Sequence, residues 1–338
     1  MPNPEDENSL NKALWLAVAS EMARCCPSAR PVVQGILGPQ GSGKSTLAGL
    51  LVQLLDQLGR RAVSLSLDDL YLTASERCSQ ALWRWRGPPG THDLDLGERT
   101  LEQLVGGEPP FWLPRFDKGA TGGQGDRFAW VEPDEALVLN GRIEAGSFYL
   151  EGCVYRDRPL PLPEKMGRPV PLGAAFVDGP ARWQVCGGRW VLKQTGQLLP
   201  LSSPVGWQLL PVRPDAVIFE GWFVGVQPVD AASCPNPLAA QSNRLLPGYL
   251  PLWRYLDRLL VLRPAELAWS KTWREAAEAQ RRAAGQPGMT PREIEAFVAY
   301  FWEALPWEVF VEPLIARNRC DLLVEIDAQH RPRHFRRL

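Results

Sequence analysis

Val32-Val33-Gln34-Gly35-Ile36-Leu37-Gly38-Pro39-Gln40-Gly41-Ser42-Gly43-Lys44-Ser45-Thr46 is the stretch on which the reading of this chain turns. Val32 to Leu37 is a short, mostly apolar run that reads as a buried strand, and Lys44 to about Leu58 reads as a helix that Gly59 is placed to end. Between them, Gly38 to Thr46 fits the pattern G-x-x-x-x-G-K-[ST]. Glycines let successive backbone N–H groups turn inward around a phosphate, and the N-terminus of the following helix adds positive potential. The nine residues Gly38, Pro39, Gln40, Gly41, Ser42, Gly43, Lys44, Ser45 and Thr46 are therefore the candidate nucleotide-binding segment. Lys44 is expected to bridge the β- and γ-phosphates of ATP, and the Ser45 hydroxyl to complete the shell of a Mg²⁺ ion. The strand before the glycines and the helix after them separate this match from a chance glycine turn.

Working outward, Ala62 to Leu67 alternates as a strand and delivers Asp68 and Asp69 at its end. Strand, helix and strand in close succession make a βαβ unit, hence a parallel sheet covered by helices. Asp215 to Glu220 is a second apolar strand ending in an acid, and Arg258 to Leu262 a third. Ligands of open parallel sheets lie beyond the C-terminal strand ends, so Asp68, Asp69 and Glu220 are expected to face the phosphates. Phosphoryl transfer to a hydroxyl needs one carboxylate to take the proton and another to hold the metal, directly or through water. The plainer reading is that such acids cap loops or helices.

Leu10 to Cys26 carries apolar residues at helical spacing and stops before Pro27. Val131 to about Gln208 changes character, with β-like runs (136–139, 147–155, 183–185, 189–193) between Gly- and Pro-rich turns, the look of a small antiparallel subdomain. Two helices are expected at Trp269 to Ala284 and Pro291 to Leu305, joined by a turn at Gly285 to Thr290, and the basic tail Arg331 to Leu338 reads as a solvated end. The fold class expected is α/β, a P-loop NTPase-type parallel sheet flanked by helices with a β-rich insertion. Its parts are an N-terminal helix (1–30) packed on the core, a P-loop core (31–130 and 209–338) and the insertion (131–208).

With 338 residues, 45% hydrophobic, the chain can bury a sizeable core. Its net charge of −1 argues against nucleic acid held by bulk electrostatics. Seven cysteines without Cys-x-x-Cys spacing suit reduced thiols, and three histidines do not furnish a histidine-rich zinc site. No apolar run reaches the roughly 20 residues of a membrane span, and Met1 to Asn8 has neither secretion nor transit character. A cytoplasmic protein acting on a small molecule is expected, with its oligomeric state open.

Five segments resemble the glycerate 3-kinase family, within the phosphoribulokinase and uridine kinase group of P-loop kinases. They are the P-loop; Ser66-Leu67-Asp68-Asp69-Leu70-Tyr71; Arg86-Gly87-Pro88-Pro89-Gly90-Thr91-His92-Asp93; Pro114-Arg115-Phe116-Asp117-Lys118 running to Gly125-Asp126-Arg127; and Phe219-Glu220-Gly221-Trp222. Gln280 to Thr290 resembles the family's lid helix and the turn after it. The resemblance implies transfer of phosphate from ATP to D-glycerate, giving 3-phosphoglycerate and ADP. It matches Asp68 to the general base and Glu220 to the acid near the metal, with Lys44 as the third catalytic residue. A carboxylate-bearing acceptor wants a cation, from Arg115, Lys118 or Arg127, and hydrogen-bonding partners, from Asp69, Tyr71, Thr91, His92 or Asp93. Each is equally readable as a loop-fixing contact. Arg274, Arg281 and Arg282 are the lid candidates for charge on the transferring phosphoryl, while Trp273, Phe297 and Trp302 read as packing rather than as an adenine shelf. Two departures stand out: the insertion, whose role is open, and Leu70, where the group usually has an aromatic. A kinase for a nucleoside, pantothenate or a sugar phosphate, and a non-catalytic ATP-binding switch, are the alternatives.

Overall fold

The computed structural model describes residues 4–26, 30–80, 84–199, 206–283 and 289–337. Val32–Leu37 is fully buried and lies inside a six-stranded sheet. It pairs in parallel with Ala216–Gly221 on one side and Arg258–Pro264 on the other. Ala62–Ser66 extends the sheet in parallel beyond Ala216–Gly221, and Leu322–Ile326 in parallel beyond Arg258–Pro264. The edge next to Leu322–Ile326 is Pro332–Arg337, antiparallel to it. This last strand corrects the expectation of a solvated basic end. Its backbone is paired, although most of its side chains are exposed; Arg333 pairs with Asp327 and Arg337 with Glu21. The alternation of an edge strand suffices for that: pairing uses the backbone, whatever the side chains.

The helix Pro4–Cys25 and the P-loop helix Lys44–Gln57 share a core with one face of this sheet. Met22, Ala19, Leu51 and Leu55 are buried there against Ile36, Ile218, Leu260 and Val324. The alternation Val32, Gln34, Ile36 puts Val32 and Ile36 into that core because side chains two apart share a strand face. Trp269–Ala283 and Pro291–Ala304 are the two late helices. The second begins with a capping box, in which Thr290 accepts from the Glu293 N–H and Glu293 accepts from the Thr290 N–H. Most of the expected turn between them (284–288) lies outside the described residues.

The chain divides into two compact units: 1–70, 82–108 and 213–338, and 71–81 with 109–212. The second is strand-rich. Its sheet runs Arg158–Leu160, Ser147–Tyr155, Leu137–Glu144, Gly179–Cys186, Arg189–Leu192, all antiparallel, with Val170–Pro171 beside Ser147–Tyr155. Phe111–Pro114 and Trp207–Leu210 form a separate antiparallel pair. Its core is aromatic: Trp130 meets Phe148, Trp183 and Trp190 edge-on at centroid distances of 5.5, 5.5 and 5.3 Å. The span 131–208 read from sequence lies inside this unit, which also takes in 109–130.

Candidate active site

Gly38 to Gly43 form the turn between Val32–Leu37 and the helix that begins at Lys44. Gly41 and Gly43 have φ of +75° and +84°, the left-handed region that glycine enters without strain. The buried Ser42 hydroxyl and the Gln40 side-chain oxygen have no hydrogen-bond partner within the protein, an arrangement that suits a cradle meant for a polar ligand. Lys44 Nζ donates to the Pro39 carbonyl at 2.8 Å, within the loop it is expected to complete. Thr46 follows on the first helical turn.

Sheet register brings the acids to this loop. Ile36 lies opposite Glu220, and Glu220 opposite Ser66. The strand containing Glu220 is buried at all six positions, so its carboxylate needs a polar partner, and the Ser45 hydroxyl donates to its Oε1 at 2.8 Å. Hydroxyl and carboxylate oxygens are hard donors of the kind Mg²⁺ takes when phosphates supply the remainder of its shell. That scheme requires no dense protein cluster, and no group of three or more metal-ligating side chains occurs among the described residues. Asp68 and Asp69 lie in the 3₁₀ turn Leu67–Leu70 directly after Ala62–Ser66. They differ in local role: Asp69 Oδ2 accepts from the Ser66 N–H at 3.1 Å, tying down the turn that presents Asp68. Both are half-buried.

The segment 86–93 is fastened to both acid-bearing strand ends. Asp93 N–H donates to the Leu70 carbonyl at 2.7 Å, and the Trp222 indole donates to the Gly87 carbonyl at 3.0 Å. Within it the side chains hold the loop. The Thr91 hydroxyl donates to the Pro88 carbonyl at 2.9 Å and accepts from the Gly87 N–H, and Asp93 caps the helix Leu94–Gly106 by accepting from the Leu96 N–H. His92 is buried against Phe223 and Tyr249, its Nδ1 2.7 Å from the Tyr249 hydroxyl. That hydroxyl accepts from the Gly90 N–H, and burial pushes its pKa well above the ordinary phenol value. Tyr249 therefore keeps its proton and can donate it to Nδ1.

Tyr71, Arg115, Lys118 and Arg127 belong to the strand-rich unit. Tyr71 is buried against Phe116. Arg127 is buried, donates to the Tyr71 carbonyl at 3.2 Å and lies 5.9 Å from the Trp207 ring. Arg115 is hydrogen-bonded to Gln208 and 3.7 Å from Glu132, and Lys118 is exposed. Of the lid arginines, Arg274 pairs with buried Glu278 at 2.7 Å and lies over Phe297 at 5.1 Å. Arg282 is exposed and bonds the Met289 carbonyl. The side chain of Arg281 lies outside the described residues. Trp273 is buried, as packing would have it, but against the phosphate loop: a Cβ at Gly41 would come within 2.7 Å of its Cβ.

One contact at this loop was not foreseen. His330 Nε2 is 2.6 Å from the Gly41 carbonyl, and its ring stacks on Trp273 with centroids 4.3 Å apart. The pairing spans 289 positions of sequence, and no motif signals it.

No protein-family model matches the chain. It is 28% identical over 305 residues to the uncharacterized kinase mug58 of Schizosaccharomyces pombe, covering 84% of this chain and 82% of that protein. It is 25% identical over 324 residues to the chloroplastic D-glycerate 3-kinase of Arabidopsis thaliana, covering 89% of this chain but 54% of that longer one. In three dimensions it is similar to the D-glycerate 3-kinase of Cryptococcus neoformans, with a TM-score of 0.62 at 20% identity, over 97% of this chain and 99% of the other. Taken with the cradle and its acids, these relationships make the chain a P-loop kinase, similar to D-glycerate 3-kinases.

Proposed function

We propose that this protein transfers the γ-phosphoryl group of ATP to a hydroxyl of D-glycerate, giving 3-phosphoglycerate and ADP. The observation that carries the kinase reading is the direct contact of Ser45 with Glu220 at the mouth of the phosphate loop, with Asp68 on the next strand end. The D-glycerate reading is supported by the motif resemblance and by the sequence relationship to a D-glycerate 3-kinase.

Asp68 takes the proton of the attacking hydroxyl as the new O–P bond forms and the bond from the γ-phosphorus to the β,γ-bridging oxygen breaks. Lys44 and backbone amides of the glycine loop stabilise charge on the phosphate oxygens. Ser45 and Glu220 would hold Mg²⁺, which when bound neutralises charge on the β- and γ-phosphates. Glu220 is buried, so its negative charge is poorly screened by water and favours a cation at the Ser45 hydroxyl.

Release of ADP with ATP, Mg²⁺ and a panel of acceptors tests this: D-glycerate, a nucleoside, pantothenate and sugar phosphates. D-Glycerate is expected to stimulate release most. Stimulation by another member and not by D-glycerate overturns the acceptor and keeps the kinase. No stimulation by any acceptor, with ATP still bound, favours a nucleotide-binding switch.

A further inference from the structure

We infer that His330 is a positioning residue for the nucleotide. The turn that carries it braces the phosphate loop and ties that loop to the helix Trp269–Ala283. This inference rests on the ATP-binding reading above and adds a residue to it.

Three observations meet at Gly41. Its carbonyl lies 2.6 Å from His330 Nε2, and since a carbonyl only accepts, Nε2 carries the proton and donates. Its Cα faces Trp273 so closely that a Cβ would clash at 2.7 Å. His330 and Trp273 are themselves stacked, with ring planes 30° apart. Gly41 is thus held at its carbonyl by His330 and packed at its Cα against Trp273. Because C=O and N–H of one peptide point opposite ways, anchoring the Gly41 carbonyl on His330 fixes the direction of the Ser42 N–H, which donates to the Pro39 carbonyl at 3.3 Å, the same carbonyl that receives Lys44 Nζ.

The turn is built to present this ring. His330 has φ of +62°, a left-handed value uncommon outside glycine. Asp327 imposes it: its carbonyl accepts from the His330 N–H, and its carboxylate accepts from the Gln329 and Arg331 N–H groups and from the guanidinium groups of Arg331 and Arg333. Trp273 closes the arrangement by donating its indole N–H to the Ala328 carbonyl at 2.7 Å. A strained residue over-determined by its surroundings, aimed at a ligand loop, marks a constraint worth holding. The loop is then pre-organised, and less ordering is left to be done when nucleotide binds.

The test is titration of a non-hydrolysable ATP analogue with Mg²⁺ into the wild type and into His330→Ala, His330→Phe and His330→Gln, with KM for the acceptor and thermal melts measured alongside. Loss of one well-placed hydrogen bond is expected to weaken nucleotide binding about tenfold in His330→Ala. His330→Phe, which keeps a ring but no donor, is expected to be equally weak. His330→Gln, whose amide reaches as far as the imidazole, is expected to return to within about threefold of wild type. Acceptor KM is expected to stay unchanged, and so is binding by His334→Ala, an exposed histidine on the edge strand. Wild-type affinity in His330→Ala or His330→Phe overturns the inference, as does failure of His330→Gln to recover. A wild type that does not bind the analogue sinks the ATP reading instead.

Discussion

Glu220 shows how little freedom an acid has at the tip of a buried strand. Five buried, mostly apolar neighbours surround it in Ala216–Gly221, and the Ser45 hydroxyl meets it at 2.8 Å. Glu220→Gln keeps the shape and the hydrogen bond but removes the charge. Turnover is expected to fall by about a hundredfold or more, the scale of losing one preorganised electrostatic group, with the melting temperature little changed. Turnover near wild type would show that this carboxylate does not serve the metal. Gly41 makes the complementary case for a residue defined by absence. Gly41→Ala adds a methyl group 2.7 Å from Trp273 Cβ at a φ of +75°. Nucleotide affinity is expected to drop by about tenfold or more as the loop shifts to relieve the clash, read by the same analogue titration. Thr91 and Asp93 are a lesson of the opposite kind. The chemistry of an acceptor site is present in these side chains, but their visible hydrogen bonds shape the loop.

Among the elements, the turn after Leu322–Ile326 is gathered around the Asp327 carboxylate, with backbone bonds and the Trp273 indole beside it. Partial burial of Asp327 raises its pKa, but hydrogen bonds from the Arg331 and Gln329 N–H groups and from the Arg333 and Arg331 side chains outweigh this and hold it below the usual carboxylate range. A carboxyl depressed in the folded state contributes stability that is present above its unfolded value and lost as pH falls through its folded one. Wild type is therefore expected to melt higher than Asp327→Asn by about 2–4 °C near neutral pH. That gap should shrink to nothing in acid, below the ordinary carboxylate range. A gap that persists at low pH, or none at neutral pH, contradicts the assignment. The paired edge strand Pro332–Arg337 starts from this turn, so a chain end whose composition suggested only solvation is fixed by hydrogen bonds invisible to composition.

At the level of the whole molecule, each unit has its own core. The parallel sheet packs aliphatic side chains under two helices, whereas the strand-rich unit packs large aromatics around Trp130. Trp130→Ala is expected to cost that unit about 3–5 kcal/mol, the range for emptying a large buried aromatic site. A urea titration followed by near-ultraviolet circular dichroism would check it, and a loss below about 1 kcal/mol would show that the aromatic cluster is not what stabilises the unit. The larger question for the molecule is its acceptor, which the ADP-release panel answers.

Local sequence alone determined the glycine loop, its strand and helix, and the acids closing two further strands. Each is written in a few consecutive residues, through their backbone preferences and apolar spacing. Only the tertiary structure decided that Glu220 reaches Ser45, that 86–93 is fastened to the ends of both acid-bearing strands, and that His330 holds Gly41. Those contacts join residues scores to hundreds of positions apart, and a single sequence carries no local signal for which distant side chains the packing of a sheet will bring together.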